Sequence, residues 1–326
     1  MSDPSTVAGH GRIGAARTQA GAVTALRGKL PPHRRAGRVA LGVVRYGVIA
    51  LVAAAMFLPF FWMISASLMT YQESIRIPPV WWPEVPQWQH YAEVLRDPNV
   101  PLGLYFANSA IVSSAVTLLV LATSSLAGYA LTKLHFPGRD AIFAFFLSTM
   151  MFPAFLFLVP VYYILKRLPL MGGNDWLGMG GVGALQSHMA LILPFAVSAW
   201  GIFLMRQFMM SVPDELLDAA RIDGASEIGI WARIMLPLTR PALATVAIFT
   251  FIGQWNYLLW PLIVTTSAPH LMTVPVGIRM MATAYSTALS AGRLQAATAM
   301  AVVPTILVFL AMQRHYIRGF ALTGFK

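Results

Sequence analysis

Seven histidines and twelve acidic residues are the groups in this 326-residue chain that could bind a metal, move protons or activate a nucleophile. They are not arranged for it. No two histidines stand at the HExxH spacing that puts two imidazoles and a glutamate base on one helix. Gly28-Lys29 is followed by Leu30 and lacks the upstream glycine of a phosphate-binding loop. Residues 224–228, GASEI, approach a GxSxG elbow, but Ile228 stands where the second glycine is needed. Cysteine is absent, which excludes disulfides and thiolate metal sites. His90, His135, His270 and His315 fall near the ends of apolar runs, where a wet histidine is a simpler reading than a ligand. The sequence therefore offers no catalytic residue, no cofactor site and no metal site.

What chemistry there is concentrates in residues 214–243, DELLDAARIDGASEIGIWARIMLPLTRPAL. This stretch holds five of the twelve acids, three arginines and a central glycine. Pro213 is a good helix starter, with Ser211 before it as a candidate cap. Asp214 and Glu215 follow in a first turn, where the helix dipole favours acids. Leu216, Leu217, Ala220 and Ile222 give a short apolar stripe. Gly224 tolerates positive φ and can end one helix and turn the chain. Ser226 is placed to cap a second helix, in which Ile228, Trp231 and Ile234 or Met235 recur on one face. Pro237 and Pro241 mark its end. The pattern predicts two short amphipathic helices at an angle. Anionic lipid would repel the acids, so a protein partner suits them better than a membrane surface.

The elements that must carry this hairpin are apolar. The chain is 57% hydrophobic and 11% charged, against about 25% charged in soluble domains. A spanning helix needs about 20 apolar residues, and the gaps between charges supply six. They are expected near 43–67, 106–130, 141–165, 185–206, 240–265 and 296–313. Continuous apolar runs exclude the alternating strands of a membrane barrel. With the N-terminus inside, inside segments carry 17 Lys and Arg and outside segments 6. Both termini and the 207–240 loop are then cytoplasmic. This distribution also accounts for the formal charge of +11 without nucleic acid.

Residues 1–40 are polar and lack the apolar core of a cleaved signal peptide, so they read as a disordered cytoplasmic tail ahead of a 41–326 membrane domain. Trp81, Trp82 and Trp88 suit headgroup depth, and 89–96 suits a short helix lying on the membrane or on a partner. Pro153, Pro160 and Pro194 are expected to kink their spans. Ser109, Ser113, Ser114, Thr117, Thr123, Ser124 and Ser125 crowd the second span, where small and hydroxyl residues serve packing. Asn108 lies at its head. Gln254, Trp255, Asn256 and Tyr257 cluster in the fifth span. Amides beside aromatic rings suit a sugar path, and with Asn108 they form the candidate substrate-path set.

The hairpin resembles the EAA signature of the membrane subunits of ABC importers. There, Glu-Ala-Ala is followed after three residues by glycine and later by an apolar-Leu-Pro close. Here Asp218-Ala219-Ala220 stand for Glu-Ala-Ala, Asp223-Gly224-Ala225 hold the turn, and Ile234, Leu236 and Pro237 close it. Asp replaces the usual Glu, and Trp231 stands where Phe is common. Residues 108–140, 193–226, 251–264 and 312–320 also resemble the maltose-type, carbohydrate-uptake branch, so the likeness covers roughly 45–326.

The resemblance implies an all-α membrane protein with six transmembrane helices, the type I permease core. It implies a second homologous permease subunit, two ATPase subunits and an extracytoplasmic solute-binding protein in a bacterial cell membrane. ATP and Mg would sit on the ATPase. The first hairpin helix would enter an ATPase cleft, making Glu215, Asp218, Ala219, Ala220, Asp223, Gly224, Ala225, Trp231 and Pro237 the candidate coupling residues. The tail 314–326, with Phe320 and Phe325, would reach between the ATPases or anchor on the membrane. The solute would be a sugar or oligosaccharide, or, in the same family, glycerol 3-phosphate or a glycerophosphodiester. The competing class is a stand-alone secondary carrier. Such carriers use an intramembrane acid or base, and none lies well inside a predicted span.

Overall fold

The computed structural model describes residues 32–284 and 291–323, with side chains for 41–283 and 291–313. Every regular element among the described residues is helical. The chain forms two compact units, Met1–Phe61 and Trp62–Lys326. Residues 1–31 of the expected tail lie outside the described residues, as do the side chains of 314–326, Phe320 and Phe325 included. The last part of the expected tail, 32–40, is already helical.

The first unit contains most of α1 (Pro32–Ser67). Beyond Arg45 α1 is apolar on every side, and none of its most apolar stretch is buried. Such a helix is at ease in hydrocarbon, which is as apolar as its side chains.

In the second unit, α2 (Gln89–Arg96) forms where a short helix is expected. It buries Val94 and joins the last helix through Glu93, whose carboxylate lies 2.7 Å from Arg293. The axis of the unit is α3 (Leu102–Lys133). Some 39% of its most apolar stretch is buried, against 11% for the last helix. Its 32 residues extend about 48 Å, beyond a hydrocarbon layer of about 30 Å. The hydroxyl residues of α3 serve packing, with Ser109, Ser113, Thr117, Ser124 and Ser125 all buried.

The third expected span is broken. α4 (Arg139–Thr149) and the segment Ala154–Lys166, which contains α5 (Leu158–Lys166), meet at 94°. Pro153 stands at the break, where it supplies no N–H and restricts the residue before it. Pro160 makes no kink of its own, because it lies in the first turn of α5. Residues 167–187 form a glycine-rich loop around Asn174. The Asn174 amide donates to Lys166 O and Leu168 O at 2.8 and 3.0 Å, and its oxygen accepts from Gly181 N at 2.8 Å. The loop exposes Trp176, Leu177 and Met179.

The fourth expected span is also two pieces. Met189–Phe195, with Pro194 at its end, meets α6 (Ala199–Met210) at 43°. α6 lies very close to α3. A Cβ on Gly128 would stand 2.8 Å from Met205 Cβ, and one on Gly201 would stand 2.5 Å from Ser124 Oγ. The two helices therefore pack backbone to backbone.

After α6 come α7 (Asp214–Ile222) and α8 (Glu227–Ile230), the hairpin. The fifth span, α9 (Arg240–Trp255), ends before the expected 265 and is followed by Leu259–Val264. It meets the segment Glu227–Leu238 at 81°. α10 (Val274–Ala284) and α11 (Ala291–Thr323) complete the unit. Among the described residues, three helices are long and apolar enough to cross a membrane, or six spans if each bent pair counts as one.

Candidate functional site

Residues 212–238 form the hairpin. Pro213, in extended conformation, precedes α7 and starts it. Ser211 does not cap it, because its hydroxyl is bonded back to Phe208 O at 2.7 Å in the preceding helix. Only Leu217 is fully buried in α7. Leu216 and Ile222 of the expected stripe point outward, at 50% and 86% exposure.

The end of α7 explains the Ala-Ala, Gly, Ala spacing. Ala225 N donates to Ala220 O at 2.9 Å and Gly224 N donates to Arg221 O at 3.0 Å. These are the paired bonds of a Schellman stop, which needs a left-handed residue between them. Gly224 supplies it at φ +82°. Ser226 then caps α8, its hydroxyl accepting from Gly229 N at 3.2 Å.

α8 does not continue as a regular helix. Trp231–Met235 form a π turn, one residue wider than an α turn. In a regular helix the ring of Pro237 would collide with the Arg233 carbonyl, and the wide turn contains Arg233. The consequence is a change of phase. Ile230 and Met235, five residues apart, are both fully buried. Ile228, assigned to the buried face on α-helical spacing, is 72% exposed. Trp231 is half-buried against this core.

Arg221 ties the two arms together. Its guanidinium donates to Glu227 Oε1 and to Asp218 Oδ1, both at 2.8 Å. The hydrogen bond to Glu227 holds the Arg221 pKa above its ordinary value. Two residues of α3, neither evident from sequence, hold the hairpin roots. The Tyr129 hydroxyl donates to Glu227 Oε2. Lys133 Nζ donates to Val212 O and Asp214 Oδ1, both at 2.6 Å, and the lysine side chain is 5% exposed. The hydrogen bond and charge of Lys133 hold the Asp214 carboxyl below the usual carboxylate range. Nearby, Arg206 sits 4.0 Å over the Phe143 ring and donates to Leu131 O at 3.3 Å.

The outward face of the hairpin thus combines exposed Leu216, Ile222 and Ile228 with the carboxylates of Glu215, Asp218 and Asp223. Ala219, Ala225 and Pro237 are exposed with them, and Ala220 is half-buried. Of the nine coupling candidates, eight lie between Glu215 and Trp231 on this hairpin, and Pro237 closes it.

The substrate-path candidates are scattered. Gln254 lines a cavity of about 540 Å³, together with Phe195, Ser198, Trp200, Phe249 and Thr250. Trp200 and Phe249 meet edge to face at 5.6 Å. Tyr257 lines a smaller cavity of about 340 Å³ with its ring against Phe195. Asn256 is exposed and bonds its own helix at Ile252 O. Trp255 and Asn108 are 3% exposed and occupied internally. Trp255 Nε1 donates to Ala301 O at 2.9 Å. The Asn108 amide donates to His270 O and Met272 O, and its oxygen meets His188 Nε2. These two side chains are core supports, because their polar atoms satisfy buried partners. Trp200 and Phe249 were missed because they lie within uniformly apolar runs.

A mostly helical chain with apolar, membrane-spanning helices and a charged hairpin between them has the form of a membrane transport subunit. Residues 120–321 match the family of binding-protein-dependent transport system inner membrane components, and this chain belongs to that family. It is 36% identical over 227 residues to the arabinooligosaccharides transport system permease protein AraQ of Halalkalibacterium halodurans, covering 69% of this chain and 75% of that one. It is 32% identical over 297 residues to the lactose transport system permease protein LacG of Rhizobium radiobacter, covering 91% and 97%. It is 35% identical over 221 residues to the sn-glycerol-3-phosphate transport system permease protein UgpE of Pectobacterium atrosepticum, covering 68% and 73%. A chain in the crystal structure of a bacterial ABC transporter involved in the import of the acidic polysaccharide alginate shares the fold. Its TM-score is 0.69 at 22% identity, over 86% of this chain and 98% of that one.

Proposed function

We propose that this chain is one of two homologous permease subunits of an ATP-driven, binding-protein-dependent importer, and that its solute is a sugar or oligosaccharide. It forms half of the translocation path and lends no catalytic group. Two ATPase subunits, which hold ATP and Mg, grip the hairpin on the cytoplasmic side, and a solute-binding protein delivers the solute on the other. Both termini are cytoplasmic in this reading, and residues 314–326 extend toward the ATPases or the membrane surface.

The observation that carries the reading is the outward face of the hairpin. Exposed Leu216, Ile222 and Ile228 beside Glu215, Asp218 and Asp223 form an amphipathic plug with no counterpart elsewhere on the hairpin. Apolar contact area framed by acids suits a cleft with a basic rim. The sugar assignment is supported by the AraQ and LacG relatives and by the cavity, where aromatic Trp200 and Phe249 accompany Gln254 and Thr250. The UgpE relative supports glycerol 3-phosphate instead, but no Lys or Arg lines that cavity.

Co-purification in mild detergent tests the assembly. The tagged chain brings down an ATPase and a second permease; recovery of the chain alone refutes the reading. Ion-driven uptake by the chain alone in proteoliposomes would establish a secondary carrier. Calorimetry on the solute-binding protein, with arabinotriose, lactose and glycerol 3-phosphate as probes, separates the solutes. Binding of the phosphate alone would overturn the sugar assignment.

A further inference from the structure

The hairpin reaches the walls of the larger cavity by two routes. One is covalent. The segment Glu227–Leu238 runs through its 81° bend into α9, which carries Phe249, Thr250 and Gln254 to the cavity. The other runs through Tyr129 and Lys133. They stand four residues apart on α3, hence on one face. Tyr129 holds Glu227 at the head of α8, and Lys133 holds Val212 O and Asp214 at the head of α7. The same helix carries Val116 and Val120 into the cavity wall, Val120 about 14 Å from Tyr129 along the axis. α6, packed backbone to backbone on α3 at Gly128 and Gly201, brings Ser198 and Trp200 to the third side.

We propose that Tyr129 and Lys133 are positioning residues that join the hairpin to the α3–α6 wall of the cavity as one rigid body, so that a pull on the hairpin moves the α3–α6 and α9 walls together. This rests on the reading that an ATPase grips the hairpin. Lys133 is nearly closed to water, and both of its acceptors belong to the hairpin root. Pulling the hairpin off α3 would strand a buried ammonium, which is strongly disfavoured. Tyr129, 4% exposed, adds a second attachment one turn away. Without the pair, the hairpin keeps its chain links to α6 through 211–213 and to α9, but α3 loses its polar attachment and is free to lag.

The absence of native cysteine allows a clean test. Spin labels are placed at Ala232→Cys on the hairpin and Leu118→Cys on α3, both exposed positions. Distances are measured in the assembled importer, nucleotide-free and trapped with ATP and vanadate. In the parent chain the distance stays constant between the two states. In Tyr129→Phe/Lys133→Met it broadens and shifts on trapping by about 2 Å, the scale of helix displacements in such switches. Lys133→Arg, which keeps donors for both Val212 O and Asp214, stays close to the parent distribution. Should the double variant fail to assemble, Tyr129→Phe alone, which removes one oxygen, gives the same reading in smaller degree. A double variant as narrow and unmoved as the parent overturns the clamp, as does a parent distance that itself shifts. Neither result touches the assembly reading, which fails separately if the parent chain captures no ATPase.

Discussion

The hairpin and the glycine-rich loop at 167–187 both expose apolar side chains from a tightly organised turn, but they are made rigid in different ways. The loop is held by backbone sterics. A Cβ on Gly183, at φ +61°, would collide with the carbonyl oxygens of Leu165 and Lys166. At its centre, Asn174 is buried and all three of its hydrogen bonds are to backbone atoms. The hairpin is held by charge. A Cβ on Gly224 would meet nothing within 4 Å, and the arms are joined through Arg221, Tyr129 and Lys133. The first kind of rigidity is lost when a Cβ is added to a glycine, the second when a charge is removed.

That contrast is most severely tested at Gly183. Gly183→Ala adds both a collision and a disfavoured φ, and its expected cost is about 4 kcal/mol. Fluorescence-detected gel filtration should show loss of monodisperse protein; a normal profile would show that the loop yields. Asn174→Ala comes next. It leaves three backbone groups unpaired, at about 2–3 kcal/mol, read as a lowered melting temperature in detergent. Gly224→Val costs about 1–2 kcal/mol, from backbone conformation alone. Membrane insertion is retained, but ATP hydrolysis is uncoupled from uptake in the assembled importer. Normal uptake per ATP would remove Gly224 from the coupling device.

The smallest effect is that of pH on the root of α7. Asp214 has a folded pKa below its unfolded value, so its pairing with Lys133 stabilises the root above the ordinary carboxylate range. That contribution is lost as pH falls through the depressed value. The hydrogen-exchange protection factors at Asp214–Leu217, referred to the intrinsic rate at each pH, should therefore fall in acid, and Asp214→Asn should abolish that fall. An unchanged protection factor in the parent chain would show that the ionic attachment is not what holds the root.

Much of this was legible in the sequence. Charge-free runs located the spans, and the short helix at 89–96 and the Gly224 turn lie where expected. The bends beside Pro153 and Pro194 were expected from proline, but the early end of α9 at Trp255 was not, because apolar residues continue beyond it. The two clamp residues were invisible for another reason. Tyr129 and Glu227 are 98 residues apart, and Lys133 and Asp214 are 81 apart, so no local period links them. Two of the path candidates, Trp255 and Asn108, serve the core instead, while Gln254 and Tyr257 line cavities. Trp255 and Asn108 have the polarity of a sugar site, but the same polarity serves a buried bond to Ala301 O or to His270 O.

The π turn at Trp231–Met235 makes the aim of the hairpin a matter of residue count. One residue more than an α-helix needs is accommodated there. Deleting the exposed Ala232 would shorten this turn by one residue without removing any side chain that makes a named contact. Each residue of an α-helix turns the chain by about 100°. The arms of the hairpin would then swing about the axis leading into α9, and Glu227 would leave Tyr129. The direction in which this subunit presents its docking face is thus written in length as well as in chemistry.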